Sequence, residues 1–240
     1  MKDLLQNNKH RPWPIPKERW KFYQEWNKAV FLHWKVDFDA LRKLVPAGLE
    51  IDLFEGEAWV SLVAFTMEKI RPRNLPYFSP VSDFDEINIR TYIKSGNKTG
   101  VYFLSIEGGK RLSCALAKSI SGLPYRFSKM HREEGAFFSE NSFLKDSFSI
   151  RFSVEELQNK NSFDLWVTER YALFQETHKG INEFEIHHLE WPIQKLKTTD
   201  LEVKYDRFEN LIGGDPDKAH YSSGVKVLAF NKKEMKTGGF

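Results

Sequence analysis

The sequence predicts an α+β domain built on a curved, mainly antiparallel β-sheet or barrel with a few short covering helices. Several segments alternate apolar and polar residues, as strands do when one face is buried. Other segments carry apolar residues at helical spacing, but no β-α-β period and no internal repeat connects them. Composition does not shift along the 240 residues, so we expect a single domain spanning residues 1–240.

The N-terminal part predicts an arm, a helix and a strand. Residues 1–16 are polar and then punctuated by prolines, which favours an extended arm. Trp20, Tyr23 and Trp26 recur every three residues and predict a short amphipathic helix. A β-rich run at residues 30–36 predicts the first strand.

A second helix and a second strand lead to the centre of the chain. Asp37 is a suitable N-cap for a helix with an apolar stripe over residues 38–45, which Pro46 ends. Residues 58–67 are β-rich and predict a strand. The prolines of residues 71–80 indicate a loop, and loops of this length are often functional.

Residues 84–93 form the predicted central strand, and its two faces differ. One face is largely apolar and comprises Ile87, Ile89, Thr91 and Ile93. We expect Ile87 and Ile89 to pack against outer helices. The other carries a carboxylate, an amide, a guanidinium and a phenol, from Glu86, Asn88, Arg90 and Tyr92. A half-polar strand commonly turns its polar face to water. The next segment, residues 101–106, is apolar on both faces and suits a core strand, so the polar row faces either water or an internal pocket.

The C-terminal half adds short helices and further strands. Helical spacing over residues 112–120 ends at Gly122, with Pro124 two residues further on. We expect this helix to cover the barrel, because its apolar stripe needs a partner. A short helix begins near Ser162, and further strands are expected at residues 148–154, 170–174, 183–188 and 225–231. The charged, glycine-containing residues 232–240 predict a mobile tail.

Composition and charge argue against several classes of protein. An aromatic fraction of 15% and a charged fraction of 29% fit a soluble globular protein. The net charge of +3 includes no run of five basic residues, so we expect no nucleic-acid partner. No apolar run approaches the roughly 20 residues that span a bilayer, so we expect no membrane partner. Cys114 stands alone and is predicted to pack as a small hydrophobe, which favours the cytoplasm.

Cofactor motifs are absent from the sequence. It contains no glycine-rich dinucleotide fingerprint, no phosphate loop, no zinc-protease motif and no serine-hydrolase elbow. His187 and His188 are adjacent, but neighbours on a strand point to opposite faces and cannot chelate one metal together. We therefore predict no metal and no cofactor, and expect a small molecule as the partner. The oligomeric state stays open, a homo-oligomer included.

Several motifs together give a resemblance to a known family. They are Glu-Ile-Asn-Ile-Arg-Thr-Tyr at 86–92, Gly-Val-Tyr-Phe-Leu-Ser at 100–105, Gly-Leu-Pro-Tyr at 122–125, Thr-Glu-Arg-Tyr at 168–171, Ile-His-His at 186–188 and Trp-Pro at 191–192. Over most of its length the chain resembles the YqjF-like family of uncharacterised bacterial proteins. That family is similar in fold to the acetoacetate decarboxylases, which implies a closed antiparallel β-barrel with a pocket inside.

The resemblance also bears on chemistry. Acetoacetate decarboxylases bind a ketone as a Schiff base on a lysine, in a turn of the type Gly-Phe-Pro-Lys-Lys, with help from a strand glutamate. The matching turn here is residues 122–126, where Tyr125 stands in place of the amine. Lys118 and Lys129 are near in sequence but do not occupy that position. Because a tyrosine cannot form an imine, Schiff-base catalysis is not expected. The strand glutamate matches Glu86, which favours a pocket for the polar row.

Three hypotheses follow for the function. In the first, an enzyme uses Glu86 as acid or base and Tyr125 as a donor, while Arg90 holds an anionic group of a small carboxylate or carbonyl compound. Further pocket residues in this hypothesis are Asn88, Tyr92 and Arg126. In the second, the same pocket belongs to a non-catalytic binding or sensor protein. In the third, Glu86 and Arg90 form a purely structural ion pair. A raised pKa at Glu86 with open space near Tyr125 would favour the enzyme.

Overall fold

The structure is a computed structural model that describes residues 1–177 and 180–235. Within these ranges it contains short helices and thirteen strands. In chain order they are α1 (Lys2–Gln6), β1 (Phe22–Val36), α2 (Phe38–Arg42), β2 (Glu50–Ile51), β3 (Ala58–Pro72), α3 (Ser79–Ser82), β4 (Phe84–Ser95), β5 (Lys98–Gly108), α4 (Arg111–Ser121), β6 (Arg126–Phe127), β7 (Lys129–Glu133), β8 (Ala136–Asn141), β9 (Asp146–Leu157), α5 (Ser162–Thr168), β10 (Ala172–Thr177), β11 (Gly180–His187), β12 (Ile193–Lys204), a 3₁₀ turn (Asp206–Phe208) and β13 (Lys218–Met235).

Seven strands close into a barrel. Their order is β1-β3-β4-β5-β10-β11-β13, and β13 pairs with β1 to complete the ring. All neighbours in the ring are antiparallel except β5 and β10, which pair in parallel at Val101 and Tyr102. The predicted closed barrel is therefore confirmed, with one parallel pairing that alternation along single strands could not reveal. Closure removes the free edges that an open sheet would expose.

A second layer of strands covers one side of the barrel. Strand β12 pairs with β13, and β9, β8 and β7 extend the sheet outward from β12. The apolar face of β4, with Ile87 and Ile89, belongs to the same buried core as Phe137, Phe148 and Ile150 of this layer. The expectation that Ile87 and Ile89 would pack against outer helices is thus corrected, because outer strands supply much of that core.

The first strand is longer than predicted and includes the segment expected to be a helix. Tyr23 and Trp26 lie in β1, which pairs with β13 on one side and β3 on the other. Phe22, Gln24 and Trp26 face the barrel interior, whereas Tyr23 packs in a separate outer cluster with Trp20. The predicted helix at residues 20–26 is therefore wrong. The spacing of three residues is also compatible with a strand, and pairing with β13 and β3 on both sides makes this segment a strand.

Local end signals predicted three of the helices well. The Asp37 carboxylate accepts a hydrogen bond from the Ala40 N–H and begins α2. Asn161 and Asp164 form a reciprocal capping box at the start of α5. Gly122 adopts a left-handed conformation (φ 76°) and ends α4. Among the described helices, none combines the length and the apolar character that a membrane span requires.

The two chain ends differ in part from expectation. The arm of residues 1–16 carries the short helix α1, whose Leu4 is buried against the body. Residues 232–235, expected to belong to a mobile tail, instead continue β13 and pair with β11. The rest of the predicted tail, residues 236–240, lies outside the described residues.

Candidate functional site

A cavity of about 630 Å³ occupies the barrel interior. Its walls are mainly apolar, and residues of β1, β3, β4, β5, β11 and β13 contribute to them. Strand β4 contributes Glu86, Asn88 and Arg90 to these walls, and all three residues are buried. The polar row of the central strand therefore faces a pocket and not water. Burying such a row is costly unless its groups find partners, in the protein or in a ligand.

Strand register orders the side chains along the cavity. Pairing of β4 with β3 sets Arg90 opposite Ser61, then Asn88 opposite Val63, Glu86 opposite Phe65, and Phe84 opposite Met67. Successive rows on one face are separated by about 6.8 Å, which is two residues of strand. Along the cavity, the Arg90 guanidinium therefore lies towards one end, the Glu86 carboxylate lies in the middle, and the apolar row of Phe84 and Met67 lies beyond it.

Glu86 is the titratable group at the centre of the cavity. Its carboxylate accepts a hydrogen bond from the Tyr125 hydroxyl at 2.7 Å and one from the Asn88 amide at 3.3 Å. Burial raises the pKa of Glu86 to about 7, although these two hydrogen bonds and the charge of Arg90 oppose that rise. Glu86 therefore exists in both protonation states near neutral pH.

Tyr125 reaches Glu86 from the turn that follows α4. Gly122 ends that helix in the left-handed region, and residues 123–125 return the chain to the barrel wall. Burial and the neighbouring Glu86 carboxylate raise the pKa of Tyr125 well above its ordinary value. The phenol therefore stays protonated and acts as a hydrogen-bond donor at physiological pH.

Arg90 and Asn88 have unused hydrogen-bonding capacity that faces the cavity. Within residues 1–177 and 180–235, no acceptor forms a hydrogen bond or an ion pair with the Arg90 guanidinium, and its Nε is buried and unpartnered. The Asn88 Oδ1 atom is also buried without a partner in this part of the chain. The Arg90 guanidinium lies 5.6 Å from the centre of the Phe31 ring. A structural ion pair between Glu86 and Arg90, the third hypothesis above, is not present among these contacts.

Two of the predicted pocket residues do not line the cavity. Tyr92 is fully buried, and its hydroxyl hydrogen-bonds to Ser61 at 2.5 Å. Arg126 lies on the other face of the sheet, where its guanidinium donates to Ser105 beside the buried Glu107. Alternation placed Tyr92 on the correct face but could not show that a neighbouring side chain closes off its hydroxyl. Arg126 points away from Tyr125 because adjacent residues of an extended chain alternate.

Sequence reasoning missed several polar residues that line the cavity, among them Thr168, Arg170 and His188. Arg170 donates to the Asp52 carboxylate at 2.6 Å, yet its Nη2 atom is buried without a partner in the described chain. Burial lowers the pKa of His188, so its imidazole is neutral at pH 7. All three lie in the motifs that carry the family resemblance, which was the one signal that could have identified them.

A chain of buried hydrogen bonds lies behind the Arg90 end of the cavity. The Asp164 carboxylate contacts His220 at 3.0 Å, His220 contacts His33 at 3.1 Å, and His33 contacts Ser61 at 2.6 Å. Ser61 also bonds Tyr92, whose ring faces the Arg170 guanidinium. Burial holds the pKa of His33 well below its ordinary value. This network fixes the wall that carries the two arginines.

Among the described residues, no buried lysine lines the cavity. Neither Lys118 nor Lys129 lines the cavity. Among the described residues, the lysines that border it are Lys21 and Lys232, and both are exposed. An imine-forming lysine needs an unprotonated amine, which burial or a neighbouring cation normally secures. Neither bordering lysine has that burial.

The described residues contain no cluster of three or more histidine, cysteine, aspartate or glutamate side chains suited to a metal ion. Cys114 is buried in α4, where its thiol contacts the carbonyl oxygens of Gly108 and Arg126. Burial raises the pKa of Cys114 to about 11. The thiol is therefore protonated and packs as a small apolar group, as the sequence predicted.

Solved structures with similar folds define the class of the barrel. The chain is similar to an acetoacetate decarboxylase-like enzyme from Sphingomonas wittichii RW1, with a TM-score of 0.63 and 13% identity over 90% of this chain and 94% of that one. It is also similar to the enduracididine biosynthesis enzyme MppR complexed with pyruvate, with a TM-score of 0.61 and 11% identity over 90% of this chain and 91% of that one. The fold is therefore an acetoacetate decarboxylase-like barrel.

Sequence comparison gives the family. The chain is 34% identical over 195 residues to the uncharacterized protein YqjF of Bacillus subtilis (strain 168), which covers 76% of this chain and 79% of that protein. The model of the DUF2071 family, described as an uncharacterized conserved protein, matches residues 23–226. The chain therefore belongs to the DUF2071 family, and the YqjF-like resemblance is confirmed.

Proposed function

We propose that the barrel binds a small organic carboxylate that also carries a carbonyl group, and that Glu86 exchanges a proton at the carbon next to that carbonyl. No imine takes part in this reaction. The observation that carries the proposal is the Arg90 guanidinium, which is buried, faces the cavity and has no acceptor among the described residues.

Arg90 supports a carboxylate ligand. An unpaired buried cation is costly, and a carboxylate is the planar anion that fits the guanidinium fork with two hydrogen bonds. Arg170 lines the same cavity, and its Nη2 atom, which has no partner among the described residues, is a further donor. The pyruvate in the similar MppR structure belongs to that protein, and it supports an oxo acid here only as an analogy.

Glu86 and Tyr125 support acid–base chemistry. At neutral pH, a group with a pKa of about 7 accepts and returns a proton at little cost in free energy in either direction. In the proposed reaction, Glu86 takes a proton from the carbon next to the carbonyl, the electron pair of that C–H bond forms the C=C bond of an enolate, and the π pair of the carbonyl moves onto its oxygen. Tyr125 donates to that oxygen in place of its present acceptor on Glu86. Return of a proton from Glu86 to carbon reverses these changes.

A deuterium-exchange experiment tests the proposal. The protein is incubated with 4-oxopentanoate in D₂O, and proton NMR follows the loss of signal at the carbons beside the carbonyl. We expect exchange faster than in buffer alone, strong reduction in Glu86→Gln and Tyr125→Phe, and weaker binding in Arg90→Gln. Tyr77→Phe is the matched control, because Tyr77 is exposed and does not line the cavity. Equal exchange by wild type and Glu86→Gln would refute the assigned role.

A non-catalytic binding or sensor protein is the second candidate. The hydrogen bonds from Tyr125 and Asn88 that already hold Glu86 favour it, since a binder needs a fixed polar wall and no proton transfer. In the same experiment, Arg90-dependent binding of 4-oxopentanoate with no deuterium exchange would select this candidate over the enzyme.

The setting proposed for this function is the cytoplasm. A single buried thiol suits a reducing compartment, where a disulfide framework is not needed. The proposed partner is the small-molecule ligand, and neither nucleic acid nor a membrane is part of the proposal.

A further inference from the structure

We propose that the ligand is amphipathic, with a carboxylate at Arg90 and an unbranched apolar chain of about eight carbons or more that runs along the barrel to an apolar mouth. This inference rests on the proposed function, because it takes the carboxylate at Arg90 from it. It adds the length and character of the remainder of the molecule.

The first support is the shape of the lining. From Arg90 to Phe84 the polar face of β4 spans six residues, or roughly 20 Å at about 3.4 Å each. Beyond Glu86 the rows are apolar on both strands, since Phe65 lies opposite Glu86 and Met67 lies opposite Phe84. As far as the row of Phe84 and Met67, a ligand that reaches past the carboxylate therefore meets only apolar side chains of these two strands, and Arg71 of β3 borders the cavity further on.

The second support is size. A cavity of about 630 Å³ has room for roughly twenty water-sized groups at the ~30 Å³ that each takes in the liquid. An oxo acid of three or four carbons fills a minor part of that space. Apolar walls hold water poorly, so an apolar chain is the group that suits the remainder.

The third support is the mouth, which we define as Phe78, Leu116 and Ile120. These side chains border the cavity and are 66%, 46% and 50% exposed. The residues that α4 buries are instead Ser113, whose hydroxyl donates to the Val81 carbonyl of α3, and Cys114, which contacts β5 and β6. Two residues of the apolar stripe, Leu116 and Ile120, therefore lie at the end of the cavity, where a chain leaving the interior would cover them.

A chain-length series tests the inference by isothermal titration calorimetry below the critical micelle concentration. Butanoate, octanoate, decanoate and methyl decanoate are titrated into the full-length protein. Each fully buried methylene group adds roughly fourfold to affinity. We expect decanoate to bind at least tenfold more tightly than butanoate, and methyl decanoate to bind more weakly than decanoate because it lacks the charge.

Variants separate the two parts of the ligand. Leu116→Gln should weaken decanoate several-fold and leave butanoate unchanged. Leu112→Gln is the matched control, because Leu112 is on the same helix and 65% exposed but does not border the cavity. Equal affinities across the series, or equal effects of the two leucine variants, would overturn the amphipathic ligand and leave the proposed function standing. If Arg90→Gln weakens neither acid and methyl decanoate binds as well as decanoate, the carboxylate site itself fails.

Discussion

Glu86 and Arg90 lie on one face of β4 and are both buried, but their surroundings differ. Glu86 has two hydrogen-bond donors, whereas Arg90 has no acceptor among the described residues. A buried carboxyl can relieve the cost of its charge by taking up a proton, which a guanidinium does not do. The cavity therefore holds both a carboxyl whose pKa is about 7 and the guanidinium of Arg90.

The pKa of Glu86 predicts a dependence of stability on pH. Its value rises from 4.5 in the unfolded chain to about 7 in the folded protein, so the folded state binds the extra proton. The associated stability is fully present below pH 4.5 and is lost as the pH rises through 7. At roughly 1.4 kcal/mol for each pH unit between these values, the loss is about 3 kcal/mol by pH 8.

Urea unfolding at pH 5 and pH 8 measures this effect in wild type and in Glu86→Gln. Glutamine imitates the protonated acid and cannot ionise, so the variant should lose about 2 to 3 kcal/mol less than wild type over that interval. All other carboxyl groups are common to both proteins and cancel in the comparison. The same pH dependence in both would show that the pKa of Glu86 is not raised.

A second prediction compares the two cavity arginines. Arg170 donates to the buried Asp52 carboxylate, so Arg170→Met should cost about 3 kcal/mol by leaving that charge with fewer partners. Arg90→Met removes a buried cation that has no ion-pair partner in the described chain, so stability at pH 7 should be unchanged or higher. Urea unfolding of the two variants gives both values. Equal losses would indicate that Arg90 has a structural role.

Sequence periodicity predicted the part of the site that one strand supplies. Alternation along β4 placed Glu86, Asn88 and Arg90 on one face, and the cavity contains all three. It could not identify Arg170 and His188, because these residues reach the cavity from distant segments that only the closed barrel brings to β4. Local sequence patterns show which residues share one face of a strand. Which other residues meet that face depends on the tertiary structure.

At the scale of elements, α4 contacts β5 and β6 as expected, but its apolar side chains are only partly covered. Its limits follow from local signals, and the left-handed Gly122 ends it as predicted. Its apolar stripe was expected to cover the barrel, but Leu112, Leu116 and Ile120 are exposed. Amphipathic spacing shows that a helix has an apolar face and does not show whether protein or ligand covers that face.

The junction of β5 with β10 gives an element-scale prediction. A Cβ atom at Gly100 would lie 2.5 Å from the Ala172 carbonyl oxygen and 2.8 Å from the Phe174 ring. Gly100→Ala should therefore separate the parallel pair and cost about 2 kcal/mol. Gly109→Ala is the control, because its nearest contact would be an ordinary 3.4 Å and its φ is not positive. Thermal unfolding that gives equal losses would contradict this account of Gly100.

At the scale of the whole molecule, β13 organises the topology. It pairs with β1, β11 and β12, so it closes the barrel and also begins the outer layer. Sequence patterns predicted a strand at residues 225–231, whereas β13 runs from Lys218 to Met235. Its length and three partners depend on contacts with segments from about 25 to about 200 residues away, which no local window contains.

The fold also yields a prediction about chemistry, because a shared barrel does not bring a shared mechanism. The turn after α4 presents Tyr125 to Glu86, and the described lysines that border the cavity, Lys21 and Lys232, are exposed. Imine formation needs an amine that burial or a neighbouring cation activates, and neither of these lysines is buried. Incubation with 4-oxopentanoate and sodium borohydride should therefore leave the intact mass of the protein unchanged. An acetoacetate decarboxylase with its lysine, treated in parallel, is the positive control. A stable adduct on this chain that disappears in Lys21→Arg or Lys232→Arg would show that an amine elsewhere in the barrel forms the imine, and would replace the acid–base mechanism proposed for Glu86.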